Sequence, residues 1–239
     1  MPESEPVDRI LVVAAHPDDV DFGAAGSVAS WTAQGIAVSY CVVTDGDAGG
    51  FDESVSRAEM ARIRRAEQTA AAAEVGVDDI HWLAYPDGRL TVSLELRRDI
   101  TRVIRRVRPQ RVLIQSPERN YMRIFASHPD HLAAGEAALC AVYPDSRNPF
   151  AHPELLDQER LEPHTVREVW IMAHPESDTA VDITDSFDRK LAALRRHVSQ
   201  IAHHDDLEKM LRDWATMIAR MRGLPEGRLA EMFRVISAV

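Results

Sequence analysis

Long apolar runs are missing from this 239-residue chain. No segment is long enough to span a bilayer as a helix, which excludes a transmembrane enzyme of that kind. Positive charge is in deficit: 28 Lys and Arg against 38 Asp and Glu leave a net charge of −10. That balance argues against a nucleic-acid partner and against docking on an anionic membrane surface. Cysteine is scarce. Cys41 and Cys140 lie far apart, each in an apolar stretch, and read as buried free thiols. The opening MPESEPVDR is acidic and has no apolar centre, so no secretory signal is expected and a cytoplasmic location follows. No Walker or dinucleotide glycine pattern is present.

What is there is an alternation of strands and helices. Ile10–Ala15 is an apolar run with strand character, and Phe22, Ala25, Ala29 and Ala33 follow at helical spacing up to Gly35. Further strands are expected at Ile36–Thr44, Ile80–Ala84, Arg111–Gln115 and Val166–Ala173. Helices are expected at Ser56–Val75, Leu94–Arg108, His128–Val142, from Thr184 or Asp185 to Ile201, and at Asp205–Arg222. Such alternation predicts a mostly parallel α/β sheet with helices on both faces. No repeat or linker divides the chain. One domain over 1–239 is expected, with 1–8 disordered and 203–239 a C-terminal helical part packed on it.

Two short motifs carry the chemistry. His16-Pro17-Asp18-Asp19 sits where the first strand hands over to a helix, the edge at which open α/β sheets bind ligands. It stands where a dinucleotide-binding chain would have its glycine turn. Ser127-His128-Pro129-Asp130-His131 begins a later helix, with His128 and His131 at i and i+3. Ser127 with Asp130 also forms a capping-box pattern. Each motif alone is satisfied by an ordinary helix start, where carboxylates are favoured. Together, His16, Asp19 and His131 make a two-histidine, one-carboxylate set. That is the donor set of a catalytic zinc site with one position left for water, although another divalent transition metal suits the same donors. The Gly- and Asp-rich loop from Asp45 to Gly50 reads equally as a plain turn or as a substrate-facing loop. His174 reads as a rim or structural residue. His197, among Leu191, Leu194 and Val198, reads as a satisfied helix-face histidine. The four tryptophans read as core.

The pairing of AHPDD after the first strand with HPDH at a later helix resembles the PIG-L/LmbE family of metal-dependent de-N-acetylases. Thr44-Asp45-Gly46, Arg64 with Glu67, Tyr85-Pro86-Asp87-Gly88, and Val181 to Thr184 followed by Lys190 and His197 to Gln200 match its pattern too. The resemblance runs from about Ile10 to about Phe233. It implies a Rossmann-like fold, zinc held by His16, Asp19 and His131, and Asp18 as general base. It further implies that a protonated His128 faces the oxyanion and that the Asp130 carboxylate orients and charges it. Arg64, Asp45 and Asp87 are the expected substrate contacts. The reaction implied is removal of an N-acetyl or N-acyl group from an amino-sugar small molecule such as an N-acetylglucosamine conjugate. Homo-oligomerisation also follows from the resemblance. An amidase acting on a thiol-sugar conjugate, and a metal-bearing binding protein without catalysis, are the alternatives.

Overall fold

The computed structural model describes residues 6–239. The strands are β1 (Arg9–Ala14), β2 (Ala37–Thr44), β3 (Asp79–Tyr85), β4 (Arg111–Gln115), β5 (Glu168–Met172), β6 (Thr179–Asp182) and β7 (Ala230–Ser237). They form one sheet in the order β3-β2-β1-β4-β5-β7-β6. β1 to β5 run parallel, and β7 enters antiparallel between β5 and β6.

β1 is apolar throughout because both its faces are covered. Successive side chains alternate between faces. Leu11 and Val13 therefore join one core with Leu96, Ile100 and Ile104 of α4 (Leu94–Val107) and Ala134 and Ala137 of α5 (Pro129–Cys140). Ile10 and Val12 join the other, with Val28 of α2 (Ala25–Ala33) and Ala71 and Val75 around the end of α3 (Arg57–Glu74). Local signals set the helix ends. Ser56 and Ser93 accept the N–H groups of Glu59 and Leu96, and Arg108 turns left-handed ahead of Pro109.

Several expectations are revised. The helix after β1 comes in two pieces, α1 (Asp19–Gly23) and α2, broken at Ala24 with φ −148° and ψ 1°. The helix expected to reach Ile201 ends at Leu194 as α6 (Phe187–Leu194), and a short α7 (Val198–Ile201) follows. The C-terminal part is helical only over α8 (Leu207–Met221), and β7 follows it near the end of the chain. The expected disorder at 1–8 lies partly outside the described residues. Within them, Val7 packs on the core and the Asp8 carbonyl accepts from Ala37. No helix among the described residues is long and apolar enough to cross a membrane.

The sheet reverses its direction of growth at β1. β2 and β3 extend to one side, β4 and β5 to the other, which opens a crevice beyond the carboxyl ends of β1 and β4. Gln115 Oε1 ties those two ends together by accepting the Ala15 N–H at 2.8 Å. α5 then packs close on β4. A Cβ at Gly135 would stand 2.3 Å from the Gln115 carbonyl oxygen, a backbone atom that cannot move aside cheaply. Gly135→Ala should therefore cost about 1–3 kcal/mol of stability, as overpacking typically does. Denaturant unfolding of wild type and variant measures it.

Candidate metal centre and active site

The two motifs meet in that crevice. His16 follows β1; His131 lies in the first turn of α5, 115 positions later. His16 Nδ1 and His131 Nε2 are 3.2 Å apart. Asp19 closes the triangle, with Oδ2 3.3 Å from His16 Nδ1 and Oδ1 3.0 Å from His131 Nε2. A tetrahedron with ligands at about 2.0–2.1 Å from its centre has edges of roughly 3.3 Å. The two ring nitrogens stand at that spacing and the Asp19 carboxylate faces both, one oxygen to each, so the three residues could hold a first-row divalent ion.

The far edges of both rings are anchored. His131 Nδ1 lies 3.4 Å from the Ala126 carbonyl oxygen. His16 Nε2 lies 3.1 Å from Asp87 Oδ1 and 3.3 Å from Asp130 Oδ2. His16, Asp87 and Asp130 thus form a second tight group that could itself be read as a metal site. Its chemistry argues otherwise. The Asp130 carboxylate is already filled by the N–H groups of Gly88 at 2.7 Å and Leu90 at 3.1 Å. A carboxylate on the outer N–H of a ligating histidine is the usual support of such a ligand.

Charge makes the same point. Asp18, Asp19, Asp87 and Asp130 crowd together with Arg64 as the permanent cation that contacts them among the described residues. Burial opposes charging of His16, yet Asp130, Asp19 and Asp87 outweigh it and lift its pKa to about 12. Burial likewise opposes ionisation of Asp19, but the two histidines hold its carboxyl well below the ordinary range.

Asp18 has a separate environment. Its backbone is left-handed, φ 95° and ψ −25°, a strained conformation for a non-glycine residue. That turn directs consecutive carboxylates differently: Asp19 faces the histidines, while Asp18 Oδ2 lies 3.3 Å from Arg64 Nη2. Burial pushes Asp18 up to about 6; Arg64 holds it lower than burial alone would, and Asp19 adds to the rise. A carboxyl near 6 is poised for proton transfer close to neutral pH.

His128 and Asp130 are brought together differently from expectation. The Asp130 carboxylate serves His16, and it is the Asp130 backbone N–H that donates to His128 Nδ1, at 3.2 Å. His128 is therefore the helix cap, and Ser127 Oγ instead accepts from Asn120. With Nδ1 accepting, neutral His128 carries its proton on Nε2. Burial, together with His16 and His131, lowers its pKa.

Arg64 and Asp87 join the cluster, nearly buried at 4% and 7% exposure. Arg64 also binds the Pro17 and Gly46 carbonyls at 2.5 and 3.1 Å, fastening the loops after β1 and β2. Asp45 is not brought in. Its carboxylate accepts from the Asp47 N–H, and it lines a separate groove of about 270 Å³ with Trp82 and Arg65. Asp47 reaches the cluster instead, by accepting the Asp87 N–H at 3.1 Å.

A mostly parallel α/β sheet that gathers His16, Asp19 and His131 beside a buried carboxyl at its switch point suits a metal-dependent hydrolase of the α/β class. Comparison with known proteins gives the family. The PIG-L family, described as GlcNAc-PI de-N-acetylase, matches residues 11–142. The chain is 34% identical to diacetylchitobiose deacetylase of Thermococcus kodakarensis over 98% of this chain and 85% of that one. It is 31% identical to a probable N-acetyl-alpha-D-glucosaminyl L-malate deacetylase 2 of Bacillus cereus, over 80% and 83%. The solved N,N'-diacetylchitobiose deacetylase of Pyrococcus horikoshii superposes with a TM-score of 0.87 at 34% identity, covering 97% of this chain and 85% of that one. The chain belongs to the PIG-L family of metal-dependent deacetylases, enzymes that hydrolyse N-acetyl amide bonds.

The environment of Asp18 is directly measurable. In the metal-free protein its carboxyl should titrate near pH 6 by carbon-detected NMR, and Arg64→Met should move that midpoint upward by removing the cation that lowers it.

Proposed function

We propose that this chain removes the acetyl group from the amide nitrogen of a small N-acetylglucosamine conjugate, using zinc held by His16, Asp19 and His131. The observation that carries the reading is the convergence of one ring nitrogen from each histidine, 3.2 Å apart, on the Asp19 carboxylate, whose two oxygens lie 3.0 and 3.3 Å from them. The relatives' names support the substrate class, since an N-acetylated glucosamine unit is common to them. When bound, the ion supplies Lewis acidity, polarising the acetyl carbonyl and bringing the pKa of water down to about 7.

The chain's own groups divide the remaining work. Asp18 takes a proton from the attacking water and passes it to the amine as the C–N bond breaks, giving acetate and a free amino sugar. Proton transfer of this kind contributes about 10²–10⁴-fold. His128 donates its Nε2–H to the acetyl oxygen as negative charge develops there. Asp87 and Asp130 hold His16 from behind. The exposed edges of Arg64 and Asp87 meet sugar hydroxyls.

Residues 1–239 act as one cytoplasmic catalytic domain in this reading, and copies of it assemble. The support for assembly is local: Tyr121, Met122, Ile124 and Phe125 are exposed together just ahead of His128, and exposed apolar patches commonly mark contact surfaces.

Acetate release from N-acetylglucosamine conjugates tests the function. Release should stop with a chelator and return with zinc. His131→Ala should lower bound metal from about one ion per chain toward zero, read by elemental analysis. Asp18→Ala should keep the metal and lose roughly 10²-fold or more in kcat. Near-full activity in Asp18→Ala would contradict the proton-transfer role.

A further inference from the structure

Behind Asp18 lies a buried polar chain that the proposed chemistry leaves unused. Asp21, Gln68 and His197 are each 0% exposed. His197 Nε2 is 2.8 Å from Asp21 Oδ2. Gln68 of α3 donates its Nε2–H to the same oxygen at 2.8 Å, and its Oε1 accepts the Asp18 backbone N–H at 2.8 Å. The contacts thus run from His197 through Asp21 and Gln68 to the backbone of Asp18.

Buried polar groups are costly unless each is matched, and Gln68 matches two of them, the Asp18 N–H and the Asp21 carboxylate. What the chain does is local. Asp18 must hold φ 95°, and a non-glycine residue stays there only when its surroundings over-determine it. Gln68 has one donor end and one acceptor end, so its orientation here is unambiguous. The NH₂ can face only the Asp21 carboxylate, and the oxygen is left to face the Asp18 N–H. His197 in turn fixes Asp21. Burial opposes a charged His197, but Asp21 outweighs it, and Asp18 and Glu67 add to the effect.

We propose that Gln68, backed by the Asp21–His197 pair, is a positioning residue that holds Asp18 in its left-handed conformation and so aims its carboxylate at the reacting atoms. The inference rests on Asp18 being the proton carrier. Gln68 touches neither metal ligands nor substrate, so its loss acts on kcat alone.

The test compares zinc-loaded wild type, Gln68→Met, His197→Gln, His197→Asn and Asp18→Ala for kcat, KM and bound metal on one N-acetylglucosamine conjugate. Gln68→Met should lower kcat about tenfold or more, with KM and metal content within about twofold, because small misplacements of reacting groups cost this much or more. His197→Gln places an amide N–H near the position of Nε2 and should keep most of kcat. His197→Asn reaches only toward Nδ1 and should behave like Gln68→Met. A merely structural role predicts lowered melting temperatures with unchanged kcat per folded, metal-loaded chain. Wild-type kcat in Gln68→Met and His197→Asn beside an inactive Asp18→Ala would overturn the positioning role alone. A fully active Asp18→Ala would overturn the proton-carrier reading and the positioning role with it.

Discussion

The surplus of buried negative charge at the switch point is the constraint on which this structure depends. Asp18, Asp19, Asp87 and Asp130 share a space with one arginine, and carboxylates in a low-dielectric interior repel one another strongly. Such a group of side chains is stable only if a cation is present. Asp130, Asp19 and Asp87 raise the pKa of His16 against its burial, the direction that a demand for positive charge sets. A divalent ion at the proposed site between the histidines and Asp19 would satisfy the same demand. Metal affinity and stability are therefore one question in this site.

The scaffold serves that arrangement. β1 and β4 are adjacent, so their carboxyl ends bring together motifs more than a hundred residues apart. Gln115 fastens the strand ends, Gly135 lets α5 come close, and Arg64 holds the loops after β1 and β2 by their carbonyls. Within the first motif the strain falls on Asp18, where the left-handed turn separates the directions of two consecutive carboxylates. That separation lets neighbours in sequence face different partners.

Much of this was legible in the sequence. Of the five parallel strands, β1, β4 and β5 have unbroken apolar centres and β2 is interrupted only by Ser39, and a parallel sheet buries both strand faces, so their pattern is strong. The antiparallel β6 and β7 were not legible. Thr179–Asp182 is only four residues, and Ala230–Ser237 mixes Glu231 and Arg234 into its apolar positions. In the site, His16, Asp19 and His131 stand out because histidine and aspartate recur at two strand-to-helix turns. Support around them was less visible. Asp130 looked like a partner for the neighbouring His128, but it reaches back across the crevice to His16, and only tertiary packing decides that. Asp45 and Asp47 are equivalent in sequence, and the direction of one turn sends Asp47 to the Asp87 loop and leaves Asp45 outside. Gln68 carried one faint signal, a polar group beside Ala71 and Ala72 on α3, whereas His197 lies in the turn ahead of Val198–Ile201 and not on the helix face the sequence suggests.

The central claim is the location of the ion, and anomalous diffraction from a zinc-loaded crystal at the zinc edge tests it most directly. The account predicts one peak about 2.0–2.2 Å from His16 Nδ1, His131 Nε2 and the Asp19 carboxylate. A peak on the other edge of His16, among Nε2, Asp87 and Asp130, would contradict it, as would no peak in crystals of protein that still releases acetate.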